Sequence, residues 1–394
     1  MRRASARSRP PGYCVSDAFA QLADAYAMRI EAARQAQLEG RRVVGCIGAD
    51  VPEEPILAAG LVPLRIEADV FAPSPAAERF GSGGHPVLRS LVARLLGGPY
   101  QFVDRLIIGT TPRNLSALAT LIRELHGRDP AFARFEVHLH DVLHSDSPSA
   151  GDFNRSSLLG LMRQLESWSG RRLDEAALGD AIAATNTTRR LLREYGARRV
   201  TGQFGDGVAA LQLHACARGA TRADFTTRLR EWLLNDALHR ADGRPRIVYS
   251  GSNTDTTACY AAIEQTGLLV VDDDQDPGTR GIGPLLDERV SPLEALTADC
   301  ARRAPAPAGA RFASRRDYLQ QRLSDVRPDA VVFWSAAYDH PPAWEYPLLR
   351  AVVDAAGLPH ALLDPMAYRD AGLFAGGAAQ LAVRLSGGPR ERAS

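Results

Sequence analysis

Apolar residues recur along the chain with two different periods, and their alternation organises it. Over 16–39 the positions Phe19, Leu22, Ala23, Tyr26 and Ile30 form one stripe, because residues three or four apart share a helix face. The run RVVGCI (42–47) reads as a buried strand, PEEPILAAG (52–60) as a short helix and LVPLRI (61–66) as a second strand. A helix over 87–97 leads to the strand RLIIGT (105–110), a helix near 113–126 follows, and FEVHLHDV (135–142) completes this first unit. Strands without polar alternation suit parallel sheets covered on both faces.

From 151 to about 240 the strand pattern disappears. Leu158, Leu159, Leu161, Met162 and Leu165, then Leu178, Ile182, Leu191 and Leu192, keep helical spacing,. Asp242-Gly243-Arg244-Pro245 reads as a turn,. Strands and helices then alternate again: RIVYSG (246–251), a helix at 256–266, LLVVDD (268–273), a helix near 314–324, DAVVFWS (329–335), a helix at 347–356 and HALLD (360–364). Strands separated by helices need crossover connections and so form parallel sheets. The expected fold is α/β: two similar domains, 16–150 and 243–385, joined by a helical segment, 151–242, with a leader at 1–15 and a tail at 386–394.

Composition narrows the functional classes. With 45% hydrophobic and 24% charged residues the chain is an ordinary globular protein,. A net charge of +1 offers nothing to attract nucleic acid or an anionic membrane,. No apolar run approaches the roughly 20 residues that span a bilayer, and no apolar segment follows the basic N-terminus as in a secretory signal. Cys14, Cys46, Cys216, Cys259 and Cys300 are scattered, odd in number and never paired as CxxC. Reduced thiols in a cytoplasmic protein are the simplest account. A P-loop, an HExxH motif and a nucleophile elbow are all missing, and the glycines at 202–207 do not follow a strand as a dinucleotide fingerprint would,.

Six segments in order carry a family likeness: 42–66 with its Pro-Glu-Glu and Ala-Ala-Gly; His85-Pro86-Val87-Leu88-Arg89-Ser90; DRLIIGTTPRN (104–114); the helical stretch 165–199; DDQDPGTR (273–280); and 329–364. Together, over about 40 to 365, they resemble subunits of the 2-hydroxyacyl-CoA dehydratase and benzoyl-CoA reductase superfamily. The resemblance implies two flavodoxin-like domains with a 4Fe–4S cluster in the cleft, a heterodimer of related subunits, and a separate ATP-dependent activator. It also implies cysteine ligands where this sequence has His85, Pro112 (Thr111 if the match slips by one) and Asp339, with Asp276 at a further cysteine position. Iron–sulfur cores are held by thiolates, so an ordinary cluster is not expected here. One alternative is a divalent metal on His85, Asp339 and His340, with Asp276 nearby; the other is that these are polar residues in a solvated cleft.

Further candidates follow from residue chemistry. Asp50, Glu54 and His85 are candidate acid–base groups, although Glu53 and Glu54 after Pro52 also suit a helix start. Arg89 and Arg280 could hold a phosphate or carboxylate, as could the backbone of Gly278-Thr279-Arg280-Gly281; surface ion pairing is the plainer role. Tyr338 and Trp344, with Tyr346, could line an acyl pocket or pack a loop. His138, His140 and His144 read as structural or surface histidines. The expected function is a divergent dehydratase-family subunit that binds or transforms an acyl-CoA-like substrate without the cluster. The alternatives are a non-catalytic partner subunit or ligand-binding pseudoenzyme, and a cluster-free metal lyase. Expected partners are a related subunit or a second copy, and an acyl-thioester ligand.

Overall fold

As a computed structural model, the chain is described over residues 15–71, 85–112, 114–240, 242–304, 306–307, 312–365 and 375–387. The expected leader up to residue 14, Cys14 with it, and the tail beyond 387 lie outside the described residues.

Two four-stranded parallel sheets form the framework. The first comprises β1 (Val43–Ile47), β2 (Val62–Arg65), β3 (Arg105–Gly109) and β4 (Glu136–His140) in the order β2-β1-β3-β4. The second comprises β5 (Arg246–Gly251), β6 (Leu269–Asp273), β7 (Ala330–Trp334) and β8 (His360–Leu363) in the order β6-β5-β7-β8. Every pairing is parallel. Both sheets therefore start in the interior, step to one edge, and return to the other side of the first strand, as a flavodoxin-like sheet does. All residues of β1 and β7 are buried, which explains why those runs show no polar alternation.

Helices cover both faces: α1 (Val15–Leu38), α2 (Glu54–Ala58), α3 (Pro86–Gly97), α4 (Leu115–His126), α5 (Pro148–Ser169), α6 (Glu175–Arg199), α7 (Gly207–Cys216), α8 (Arg222–Leu234), α9 (Thr257–Glu264), α10 (Pro292–Arg302), α11 (Phe312–Val326), α12 (His340–Ala355) and α13 (Gly376–Gly387). Several starts follow from capping chemistry. The side chains of Ser147, Asp174 and Asp206 accept the amides of Ala150, Ala177 and Ala209, satisfying donors that a helix start leaves over. Among the described residues, no helix is long and apolar enough to cross a membrane.

Three readings of the sequence need correction. Ala23 is exposed; Phe19, Leu22, Tyr26 and Ile30 of the expected stripe do pack on the cores, joined by Ala18, Ala33 and Ala36. The last long helix starts at His340, not 347. Pro341 and Pro342 fall in its first turn, where the amides proline lacks have no helical partner. Helices α10 and α13 were not expected at all.

The helical middle binds the sheets together. Leu158, Leu161, Leu165 and Trp168 of α5, with Leu178 and Ile182 of α6, pack on Val44, Cys46 and Ile107 of the first sheet. Leu211 of α7 joins the core of the second, beside Tyr249, Tyr260 and Val270. The 25-residue α6 spans about 37 Å,. Near its middle Arg189 pairs with the buried Glu54 at 2.7 Å. At its end the buried Arg199 donates to the Val270 carbonyl at 2.9 Å and lies 3.6 Å from the Asp273 carboxylate.

Candidate functional site

Loops leaving the carboxyl ends of the strands meet around a single cavity. Gly48 and Ala49 come from β1, Thr111 and Pro112 from β3, Asn253 and Asp255 from β5, Asp276 and Pro277 from β6, and Tyr338 and Asp339 from β7. His85, the residue before α3, also lines it. Ligands of open α/β sheets sit outside strand carboxyl ends for this reason: the strands stop there and only loops remain. His85, Thr111, Pro112 and Asp339, which the resemblance would match to cysteine ligands, and Asp276, matched to a further cysteine, all line this cavity. The Thr111–Pro112 peptide is cis.

The His85 ring stands edge-on to Tyr338, with centroids 5.0 Å apart, and its Nε2 lies 3.0 Å from the Asn114 amide nitrogen. Burial pushes the His85 pKa down, the Tyr338 backbone opposes this and His340 adds to it, so the ring is neutral near pH 7. Burial pushes Asp339 up, against Ser252, His340 and Arg280.

Other expected residues fall elsewhere. Trp344 is 77% exposed on α12, stacks on the exposed His340, and lines no part of the cavity. A helix that begins at His340 turns Trp344 outward, so the acyl-pocket reading survives for Tyr338 alone. Arg89 is not a lining residue. Arg280 is buried behind the wall, donating to Asp276 at 2.9 Å and to Asn253 at 3.2 Å. Glu54 is buried against Arg189, and Glu53 pairs with Arg222.

Asp50 also stands behind the cavity. Its carboxylate lies 3.1 Å from His144 Nε2, which is equally 3.1 Å from the Thr111 hydroxyl. Burial pushes Asp50 up, but His144, Thr111 and Arg303 together hold it below the usual range. The Asp50 hydrogen bond raises His144, against burial. His144 thus makes an ion pair that its place in the sequence did not announce. Its contribution is complete below the unfolded histidine pKa and is lost as pH rises through the folded one. That of Asp50 is complete above the unfolded carboxyl pKa and is lost as pH falls through the folded one. The pair stabilises fully between about pH 4 and 6.5. His144→Gln is expected to cost about 1–3 kcal/mol in that window and to flatten the pH dependence, which chemical denaturation across pH would measure. An unchanged profile would contradict the pairing.

Four charged lining residues escaped the sequence reading: Arg65, Glu67, Arg218 and Asp255. Asp255 Oδ2 accepts the Ala68 amide at 2.9 Å. Burial and the neighbouring Glu67 push Asp255 up to about 6, against the Ala68 amide and Arg65. That is close enough to neutrality for proton transfer. Glu67 itself pairs with Arg29 of α1.

The donors do not fit an iron–sulfur cluster. Among the described residues no cysteine lines the cavity; Cys46, Cys216 and Cys259 are buried, and burial pushes Cys46 up to about 11, away from the thiolate a cluster needs,. Nor do the described residues contain any group of three or more His, Cys, Asp or Glu side chains able to hold a metal ion. His85, Asp339 and His340 are therefore not assembled as a three-ligand site.

Comparison with known proteins agrees with this architecture. The family model described as 2-hydroxyglutaryl-CoA dehydratase, D-component, matches residues 49–385. The chain is similar to the (R)-phenyllactyl-CoA dehydratase beta subunit of Clostridium sporogenes, at 20% identity over 332 residues, covering 82% of this chain and 86% of that subunit. With two flavodoxin-like sheets, a cavity at their strand ends and a match over most of its length, the chain belongs to the 2-hydroxyglutaryl-CoA dehydratase D-component family.

Proposed function

We propose that the chain is a dehydratase-family subunit that binds an acyl-thioester in this cavity without an iron–sulfur cluster of its own. The observation that carries the reading is the lining itself. The residues that the resemblance would match to the family's cluster ligands line it, and none of them offers a thiolate. In their place stand a neutral imidazole, raised carboxyl groups and an apolar wall that includes Ile66, Val87, Leu91 and Tyr338. An apolar pocket with a few polar groups suits an acyl chain ending in a polar thioester.

The chemistry these groups support is limited by the substrate. In a 2-hydroxyacyl thioester the hydrogen on C3 is not acidified by the carbonyl, so two proton-transfer groups alone do not drive loss of water. The hydrogen on C2 lies next to the carbonyl. In this reading His85 and Asp255, which line the same cavity, exchange a proton there or hold the hydroxyl, and Tyr338 meets the His85 ring edge-on,. A second reading, a non-catalytic partner of a cluster-bearing subunit, is favoured by the similarity to a protein named as a beta subunit.

Anaerobic purification with iron and sulfide analysis, followed by calorimetry with 2-hydroxyacyl-CoA esters, tests the proposal. The expected result is a chain without stoichiometric iron that binds the thioester, with Tyr338→Ala weakening binding about tenfold, or 1.4 kcal/mol. A full complement of cluster iron and sulfide on the isolated chain would overturn it. Binding without turnover, joined to activity only beside a cluster-bearing partner, would select the second reading.

A further inference from the structure

Behind the main cavity lies a second one, and the two share Ala49, Arg65 and Arg218. Five of its described lining residues are arginines: Arg65, Arg189, Arg218, Arg222 and Arg303. Among the described lining residues the one carboxylate is Glu53. Three of the cations are paired, Arg189 with Glu54, Arg222 with Glu53 and Arg303 with Asp299. Arg65 and Arg218 form no ion pair among the described residues. Arg65 donates to the Gly48 carbonyl at 2.6 Å. Arg218 donates to the carbonyls of His214, Asp276 and Pro277. Backbone carbonyls orient a guanidinium but do not neutralise it.

The remaining wall adds no negative charge. His214 is buried, and burial with the neighbouring Arg199 and Arg218 pushes its pKa well down, leaving it neutral. Arg222 is also buried, and its Nε has no hydrogen-bond partner among the described residues. Burial and repulsion from Arg65 bring Arg218 down to about 10, despite Glu67, Asp276 and Asp255. Arg65 and Arg218 are half-buried, and the Glu67, Asp255 and Asp276 carboxylates act on them from the main cavity without closing an ion pair to either. An anion with two negative charges would match the two unpaired guanidiniums, and forked N–H donors suit planar or tetrahedral oxyanions.

The turn at 278–281, whose amides looked suited to an anion, does not supply this function. The Gly278 and Gly281 amides bond to Gln275 and Gly278 within the turn, and the Thr279 amide bonds to Asp273. The arginines come from other elements: β2, α6, the turn after α7, the start of α8 and the residue that ends α10.

We propose that this second cavity is an anion site for a phosphoryl group, held between Arg65, Arg218 and Arg222. The phosphoryl group could belong to free phosphate or to the coenzyme A part of a thioester. The site does not depend on the acyl-thioester reading, because inorganic phosphate alone is the first probe.

The experiment is titration calorimetry of the full chain with inorganic phosphate and separately with coenzyme A, on wild type, Arg65→Gln and Glu53→Gln, each variant first checked for a native melting profile. Phosphate binding weakened at least tenfold by Arg65→Gln and strengthened by Glu53→Gln is expected, because removing a cation and removing the carboxylate change the cavity charge in opposite senses. A merely structural role would not give effects of opposite sign. Coenzyme A binding that follows this pattern while phosphate alone does not bind would assign the phosphoryl group to the carrier. If neither probe binds, or if both variants bind as wild type does, the site is refuted. Should Arg65→Gln fail to fold, Glu53→Gln still decides, since unchanged phosphate affinity in that variant overturns the proposal.

Discussion

Arg315→Met is expected to lower the unfolding free energy by about 3–5 kcal/mol, the range for removing one partner of a buried ion pair. Arg315 is 1% exposed on α11 and donates to Asp274 at 2.9 Å and to Glu345 of α12 at 3.0 Å. It therefore ties two helices to the loop after β6. Asp274 keeps the Ser250 hydroxyl at 2.8 Å and the Gly251 amide at 3.1 Å, but Glu345 would lose the cation that opposes its burial. Burial already raises Glu345, with Arg315 pulling the other way. Without Arg315, its folded pKa lies further above the unfolded value, so the ionised form is penalised above that unfolded value and the penalty eases as pH falls. The loss should be greater at pH 8 than at pH 5, as urea unfolding at the two pH values would show. A change under about 1 kcal/mol at both would mean that solvent already screens the cluster.

Gly251→Ala should be nearly as damaging, and its damage would reach the cavity. Gly251 ends β5 with φ +124°, outside the range of L side chains, and an added Cβ would lie 1.9 Å from the Trp334 carbonyl oxygen. That oxygen accepts the Ser252 amide at 2.8 Å, so β5 and β7 cannot separate to relieve the clash without breaking the connection. The expected cost is at least about 3 kcal/mol from backbone strain and overlap together. The loop that follows carries Asn253 and Asp255 into the cavity, so any folded remnant should bind ligand poorly. Soluble yield and thermal melting would check this; a variant melting with the wild type would show that the backbone moves more freely than its close packing allows.

The strands were legible because parallel strands buried on both faces are short apolar runs bounded by turns. β5, Arg246–Gly251, lies just where that pattern puts it. Helix α12 was misread because two prolines at its start and Pro347 inside it look like breakers until the first turn is seen to tolerate them,. Helix α10 begins with a Ser291 cap accepting the Glu294 amide, a signal present in the sequence but not followed by a long apolar stripe. The cavity was partly legible: His85, Thr111, Pro112, Asp276 and Asp339 were drawn to it by motif and Tyr338 as an aromatic, and all line it. Asp255, Arg65 and Arg218 carry no motif. Their importance comes from burial and from one another, and neither burial nor a charge neighbour 150 residues away can be read along the chain. His144 was set aside for the same reason, because its partner is Asp50.

Helix α6 has a mechanical consequence. It is fixed to α2 of the first domain through Arg189 and Glu54 and to the second sheet through Arg199, Val270 and Asp273. It therefore acts as a strut, not a hinge. Swinging one sheet away from the other, clam-shell fashion, would break a buried ion pair or strip a buried guanidinium of its acceptors. These ties resist any widening of the gap between the sheets, so a guest thicker than the gap should be refused whatever its charge.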